Sequence, residues 1–264
     1  MMQYRVRCGV LLLGFLAILS AGALASDIEK EKRWADQVVD SLMDGEAHYL
    51  HDGQHPFLSL VTENEEGETP YGAVVMHGTG VHPNWSTVVQ PLRVGLTEHG
   101  WHTISIQMPV LPNEASHDDY TALFPEVPAR IDAAVTYLKE KLGVKRIVLI
   151  SHSLGSSMTA YHLSRGAKGI DGFIAIGMGE GSTHPDRNNL ALLKNIRVPM
   201  LDLAGSEDLE SVLNSSKARQ ASQAHNPAYQ QIVEPGADHF FEGEEEALLN
   251  HVTNWLTKQK TGWQ

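Results

Sequence analysis

The segment "KRIVLIS", residues 145–151, restricts the fold more than any other feature of the chain. Its apolar side chains occupy successive positions, so they point to both faces of a strand, as happens when helices cover a parallel sheet on each side. The strand continues through Ser151, His152, Ser153 and Leu154 into a segment with helical character at about 156–165. The chain therefore predicts a layered α/β protein with a tight strand-to-helix turn near its centre.

Short apolar runs alternate with amphipathic segments along most of the sequence. The predicted strands are "FLSLV", "YGAVVMHG", "WHTISIQM", "KRIVLIS", "GFIAIGMG", "VPMLDLAG" and "YQQIVEPG". Helical patterns cover about 129–142, 156–165, 209–225 and 242–258, with a further amphipathic segment at 85–99. This alternation predicts a doubly wound, mostly parallel sheet with helices on both faces. About 18 residues, 180–197, separate two strands where a lid is often inserted, so we expect a minimal lid.

The first 25 residues have the features of a secretory signal peptide. A basic start, "MMQYRVR", precedes the apolar run "CGVLLLGFLAILS" and a small-residue "ALA" sequence that ends at Ala25. We expect cleavage after Ala25, a single domain over residues 26–264, and a periplasmic or secreted location. The alternative is an uncleaved anchor, but the apolar run of 13 residues is shorter than the roughly 20 that span a bilayer. No stable membrane anchor is expected after cleavage.

Charge and cysteine content exclude several classes of function. The net charge is −12, and loss of the two arginines of the signal peptide makes it −14, which argues against nucleic acid as a partner. Cys8 is the one cysteine and lies in the predicted signal peptide, so the mature chain has no disulfide and no thiolate nucleophile. Metal-ligand and phosphate- or dinucleotide-binding motifs are absent from the sequence. We expect neither a metal nor a cofactor.

The turn "SHSLG" is similar to a G-x-S-x-G nucleophile elbow with Ser153 at its centre. Ser151 stands where glycine is usual, and serine is small enough for that tightly packed position. The stretch alone supports a helix cap equally well, because serine often caps helices.

A serine nucleophile needs an imidazole to take its proton and a carboxylate to orient that imidazole. Asp208 follows the strand "VPMLDLAG", and His239 follows the strand "YQQIVEPG". They give the order Ser, Asp, His that hydrolases of this architecture use. Asp208 could instead cap a helix, and His239 could be an exposed loop residue. The rival acids are Glu180, Asp202 and Glu207.

The loop "HGTG", residues 77–80, is the candidate for an oxyanion hole. Such hydrolases take one backbone N–H from the residue after the nucleophile, here Leu154, and another from a loop after an early strand. We expect Thr79 to supply the second donor. The alternative is an ordinary glycine turn, and His77 is expected to be a structural hydrogen-bonding residue.

These motifs resemble the α/β-hydrolase superfamily over Tyr71 to Leu256. "AVVMHGTG", "IVLISHSLG", "VPMLDLAGSED" and "PGADHFF" are similar to its oxyanion loop, nucleophile elbow, acid loop and histidine loop. "GVHPNWSTVVQPLR", "GWHTISIQMP" and "PGADHFFEG" are similar to a group of exported bacterial hydrolase-like proteins of unassigned function. The resemblance implies the fold and a triad of Ser153, Asp208 and His239, but no substrate.

The sequence favours a serine hydrolase that cleaves a small-molecule carboxylic ester or thioester through an acyl-enzyme. A non-catalytic binding protein on a hydrolase scaffold is an alternative, since a fold does not establish an activity. A peptidase or acyltransferase with the same triad is another. The expected cleft residues are Trp85, Met108, Leu154 and Met178.

Overall fold

A computed structural model describes residues 26–263, and all eight of its strands form one sheet. The strands are β1 Glu46–His51, β2 Pro56–Thr62, β3 Tyr71–Met76, β4 His102–Ile106, β5 Arg146–His152, β6 Gly172–Ile176, β7 Met200–Gly205 and β8 Tyr229–Glu234. Their spatial order is β1-β2-β4-β3-β5-β6-β7-β8. The first two strands pair antiparallel, as do β2 and β4, and every other neighbouring pair is parallel. The predicted doubly wound, mostly parallel sheet is confirmed.

Helices cover both faces of this sheet. They are α1 Ile28–Asp40, α2 Val89–Gly95, α3 Val127–Lys141, α4 Leu154–Ser164, α5 Asn189–Leu193, α6 Glu210–Ser222 and α7 Glu245–Gly262. Three 3₁₀ segments lie at Leu96–His99, Asp119–Glu126 and Pro185–Arg187. None of the helices within residues 26–263 has both the length and the apolar character that a membrane crossing requires.

Strand β5 shows why its sequence is apolar throughout. Ile147 and Leu149 face the core cluster that includes α3 and α4, whereas Val148 and Ile150 face the opposite cluster, which includes α2 and α7. All four side chains are completely buried. The alternation of a strand thus divides one apolar run between two cores, and it holds the end of β5 rigidly in the centre of the molecule.

Two elements at the sheet edge are not evident from the sequence. Helix α1 buries few apolar side chains, chiefly Ala35 and Val38. Strand β1 is an edge strand whose residues are partly or fully exposed, so "EAHYLH" lacks the apolar pattern of a strand.

The segment 180–197, where a lid is often inserted, contains only a 3₁₀ turn and the five-residue helix α5. The predicted signal peptide lies outside the described residues.

Candidate active site

Ser153 lies at the turn between β5 and α4, at the carboxyl end of the central strand. Its backbone has φ 54° and ψ −123°, a left-handed conformation that is rare for a residue with a side chain. A hydrogen bond of 2.8 Å from the Ser153 N–H to the Ile176 carbonyl oxygen holds the turn against β6. A strained residue of this kind costs about 1–3 kcal/mol and persists where surrounding structure enforces it, often at a functional site.

The turn requires small residues because another loop packs directly on it. A Cβ atom at Gly155 would lie 2.4 Å from the His77 carbonyl oxygen, and one at Gly78 would lie 2.8 Å from the Ser153 Cβ. Ser151, the residue that departs from the usual elbow, fits within β5 with 1% exposure. Its hydroxyl oxygen has no hydrogen-bond partner among the described residues. The elbow therefore accepts serine at this position, but it leaves the hydroxyl buried and unsatisfied.

The structure brings Ser153, His239 and Asp208 together, although the serine and the histidine are 86 residues apart in the chain. The Ser153 Oγ lies 2.9 Å from the His239 Nε2, and the His239 Nδ1 lies 2.6 Å from the Asp208 Oδ1. Because the Nδ1–H donates a hydrogen bond to the carboxylate, Nε2 is left as the acceptor for the serine hydroxyl. The Asp208 Oδ1 also accepts the Leu209 backbone N–H at 2.7 Å.

The rival acids lie elsewhere. Glu180 and Glu207 are exposed on the surface. Asp202 is completely buried inside β7, where its carboxylate forms an ion pair with Arg219. Of the four acids considered from the sequence, only Asp208 contacts the His239 ring among the described residues.

A second histidine in the site, His152, was not predicted. Its Nε2–H donates a hydrogen bond of 2.8 Å to the His239 backbone carbonyl, and the two rings lie 4.8 Å apart between centroids. Phe240 packs against the same ring. Burial lowers the pKa of His152 to about 4, and the nearby His239 adds to this effect. The signal in the sequence is its place directly before the nucleophile, at the end of a buried strand.

The candidate oxyanion loop is held from behind by His77. The Met108 backbone N–H donates to the His77 Nε2 at 2.9 Å, so the ring proton is on Nδ1 and is donated to the Gly78 carbonyl at 2.8 Å. Burial lowers the pKa of His77 to about 3, which keeps the ring neutral. His77 thus has the geometry expected of a structural residue.

Thr79 and Leu154 directly follow Gly78 and Ser153, the two residues at which the loop and the turn meet. Gly78 places the loop against the turn, since a Cβ there would be 3.4 Å from the Leu154 backbone nitrogen. Leu154 begins α4, so its N–H has no carbonyl acceptor within the helix. Thr79 follows Gly78 at the rim of the loop and is partly buried.

A pocket of about 170 Å³ opens beside the Ser153 side chain. It is lined by His117, Ser153, Leu154, Ser157, Gly177, Gly179, Gly181, Arg187, Asn189, Leu209, Ser211, Val212 and His239. Leu154 lines it as expected. Met108 and Met178 are instead buried in the core, and Trp85 is not part of this lining. The polar side chains of the lining include Arg187 and Asn189, from the segment between β6 and β7, and Ser157, from α4.

A wider depression of about 800 Å³ lies at the opposite end of the sheet, near the starts of β3 and β5. Glu63, Glu68, His102 and Glu140 are among its lining residues, and none of the three residues assembled around Ser153 reaches it. Within residues 26–263, no group of three or more His, Cys, Asp or Glu side chains is placed to hold a metal ion.

The sheet order, the strained serine between β5 and α4, and the acid and histidine after β7 and β8 define the α/β-hydrolase fold, as predicted. Solved structures of this class match the chain closely in shape. Est1E from Butyrivibrio proteoclasticus, which has also been solved with ferulic acid bound, has a TM-score of 0.66 and 14% identity and covers 81% of this chain and 99% of its own. The proline iminopeptidase of Mycobacterium smegmatis has a TM-score of 0.64 and 16% identity, with 83% and 100% coverage.

A serine hydrolase homologue from Coxiella burnetii has a TM-score of 0.61 and 18% identity, and it covers 80% of this chain and 98% of its own. At this level of identity the likeness establishes the fold alone. Within the sequence, residues 23–127 match a family described as a protein of unknown function, DUF3530. No curated protein matches the chain.

Proposed function

We propose that this protein is a serine hydrolase that cleaves a carboxylic ester or thioester. The observation that supports this most directly is the continuous hydrogen-bonded line from the Ser153 Oγ through His239 to Asp208, with distances of 2.9 and 2.6 Å. The strained backbone of Ser153 adds to it, because the conformation exposes the hydroxyl at the end of the strand.

In the proposed reaction, the Ser153 Oγ attacks the substrate carbonyl carbon while the His239 Nε2 accepts the hydroxyl proton. Asp208 holds the ring orientation and stabilises the imidazolium that forms. The backbone N–H groups of Leu154 and Thr79 donate to the oxyanion. His239 then gives the proton to the leaving alcohol or thiol, and an acyl group remains on Ser153. Water, deprotonated by His239, attacks the acyl-enzyme, releases the acid and restores the serine.

The size and lining of the pocket favour a short, polar substrate. A volume of about 170 Å³ is small beside the roughly 300–1,000 Å³ of typical ligand sites. The side chains of Ser157, Arg187 and Asn189 give one wall hydrogen-bonding groups. We propose that the group held in this pocket is a short chain with a polar substituent rather than a long acyl chain.

A fluorophosphonate probe tests the nucleophile. We expect it to label the native protein at Ser153, and we expect Ser153→Ala to abolish both labelling and hydrolysis of short p-nitrophenyl esters. Ser164→Ala is a matched control on the same helix, because Ser164 lies at the far end of α4, where its hydroxyl donates to the Tyr161 carbonyl. Native protein that is neither labelled nor active would support a binding protein, whereas labelling with turnover of peptide but not ester substrates would support a peptidase.

We also propose that the chain is exported and cleaved after Ala25, as its sequence predicts. Mass spectrometry of protein recovered from the periplasm or medium should find an N-terminus at Ser26. An intact Met1 in that material would contradict the proposal.

A further inference from the structure

Ser26, the first residue after the predicted cleavage site, lies in a buried polar cluster. Its side chain and backbone are 8% exposed. Its backbone nitrogen lies 3.2 Å from the Glu126 Oε1, and its hydroxyl bonds the Glu126 Oε2. Both oxygens of Glu126, at the start of helix α3, are thus directed at the residue that cleavage would make the N-terminus.

The cluster around Ser26 contains more negative than positive charge. Arg130 is completely buried, and its guanidinium bonds the Glu31 Oε2 at 2.8 Å and the Asp52 Oδ2 at 3.3 Å. It also approaches the Ser26 Oγ at 3.5 Å. Arg130 thus contacts two carboxylates, and the Glu126 carboxylate on Ser26 is a third negative group in the same cluster.

Two further observations concern the negative charge of Glu31 in this cluster. Glu31 is 5% exposed, and its Oε1 has no hydrogen-bond partner among the described residues. Burial raises the pKa of Glu31, and the charge of Arg130 opposes this effect. The other buried cation nearby, Lys30, is directed at the Leu111 carbonyl and at Asn113.

We infer that cleavage of the Ala25–Ser26 bond creates an α-ammonium group that docks as an ion pair on Glu126 and completes this cluster. A signal peptidase adds one water across the peptide bond, which leaves a carboxylate on Ala25 and an ammonium on Ser26. The neutral amide N–H of the precursor gives Glu126 one donor, whereas an ammonium gives it three donors and a full charge. A cation before a helix is normally unfavourable, but Asp27 and Glu29 at the start of α1 offset this effect.

A chain of hydrogen bonds connects the docked N-terminus with the candidate oxyanion loop. Arg130 donates to the Gln107 carbonyl at 3.0 Å, and the Gln107 side-chain nitrogen lies 3.1 Å from the His77 Nε2. His77 in turn donates to the Gly78 carbonyl. Docking of the ammonium should therefore stabilise the loop that carries Thr79.

The test compares a chain that begins at Ser26 with one that retains Ala25, each with and without Glu126→Gln. We expect retention of Ala25 to lower the Tm by about 2–4 °C. Glu126→Gln should have a similar effect on the Ser26 chain and little further effect on the chain that retains Ala25, because the same ion pair is already lost. Glu140→Gln, on the exposed face of the same helix, should leave the Tm of both chains unchanged.

Two results would overturn the inference: equal Tm values for the two chain lengths, or an equal loss on Glu126→Gln in both. Hydrolysis of short esters by the two lengths gives a second readout, and we expect several-fold lower kcat/KM when Ala25 is retained. Because the Tm comparison needs no activity, it decides the docking of the N-terminus even if the hydrolase proposal fails.

Discussion

Asp202 and Asp208 are buried carboxylates only six residues apart, yet their surroundings are opposite. Asp202 lies inside β7, where Arg219 approaches its oxygens at 2.8 and 3.2 Å. Tyr229 and Gln231 from the neighbouring β8 donate to the same carboxylate at 2.7 and 2.9 Å. Asp208 lies beyond the end of the strand, and its only side-chain partner among the described residues is His239. One acid is fully matched by a permanent cation, whereas the other faces an imidazole.

The difference separates a structural carboxylate from the one for which we propose a part in the reaction. The charge of Asp202 is balanced by Arg219, and its hydrogen bonds link β7, β8 and α6. Asp202 is therefore not available to stabilise a second cation. The Asp208 Oδ2 is buried and has no hydrogen-bond partner among the described residues. Its negative charge is therefore available to stabilise an imidazolium that forms only when His239 takes a proton. Position relative to the strand end decides which of the two acids meets the histidine.

Asp208→Asn should have the largest effect on activity. An asparagine side chain can present an N–H to the ring, which favours the wrong tautomer of His239 and leaves Nε2 protonated. We expect kcat for short esters to fall about 10⁴-fold with little change in the free energy of unfolding. Steady-state kinetics and urea denaturation of the same preparation separate the two effects. A loss of less than tenfold would show that Asp208 is not the orienting acid.

Asp202→Asn should reverse this pattern. Removal of one partner leaves the buried guanidinium of Arg219 without its counter-charge, so we expect a loss of about 3–5 kcal/mol in the free energy of unfolding. The kcat of the molecules that remain folded should stay within a few-fold of the native value. Urea denaturation gives the first quantity, and activity normalised to the folded fraction gives the second. A selective loss of kcat would place Asp202 in the reaction instead.

The region around Ser153 should also lose stability in acid, because it contains the buried imidazole of His152. The buried cation beside Asp202 is instead the guanidinium of Arg219. In the unfolded chain a histidine takes up its proton near pH 6.5, whereas His152 in the folded protein does so at a pKa of about 4. Between these values the unfolded state binds more protons, so stability falls as the pH drops. From pH 7 to pH 5 the loss due to His152 should be about 2 kcal/mol.

His152→Gln removes this titration and retains an N–H donor for the His239 carbonyl. The variant should lose less stability than the native protein between pH 7 and pH 5 in urea denaturation. His51→Gln is a matched control at an exposed position of β1 and should leave the acid response unchanged. Identical responses in native protein and His152→Gln would contradict the shifted pKa.

The sequence predicts the positions of Ser153 and Asp208 because each of them follows a strand whose apolar pattern is strong. Strands β5 and β7 are completely buried except for one residue, so their ends, and hence Ser153 and Asp208, are well defined. The N-terminal region is different. Strand β1 is exposed and is held by its antiparallel pairing with the next strand, β2, whereas α1 is mostly polar and is fixed by contacts far along the chain, such as that between Glu31 and Arg130. Such contacts leave no local periodicity to recognise.

The stacking of His152 on His239 was missed for the same reason. A histidine at the end of a buried strand is locally indistinguishable from a core residue. Its role follows only from the return of the chain at residues 239–240, where the His239 carbonyl accepts a hydrogen bond from the His152 Nε2–H. The choice among Glu180, Asp202, Glu207 and Asp208 also required this placement, since all four follow or lie within strands of the same type.

The smallest predicted effect concerns Ser151 and Ser156. These two buried serines lie near the same turn, and one hydroxyl has a hydrogen-bond partner whereas the other has none among the described residues. The Ser156 hydroxyl donates to the Ser151 carbonyl at 2.7 Å, whereas the Ser151 hydroxyl is buried without a partner among the described residues. Ser156→Ala should therefore lower the free energy of unfolding by about 1 kcal/mol, and Ser151→Ala should leave it unchanged or raise it by up to about 1 kcal/mol. Thermal denaturation of both variants gives the sign, and equal losses would mean that Ser151 has a partner after all. Because Ser151 lies two residues before Ser153 and its hydroxyl has no hydrogen bond to His239 among the described residues, Ser151→Ala should not lower kcat.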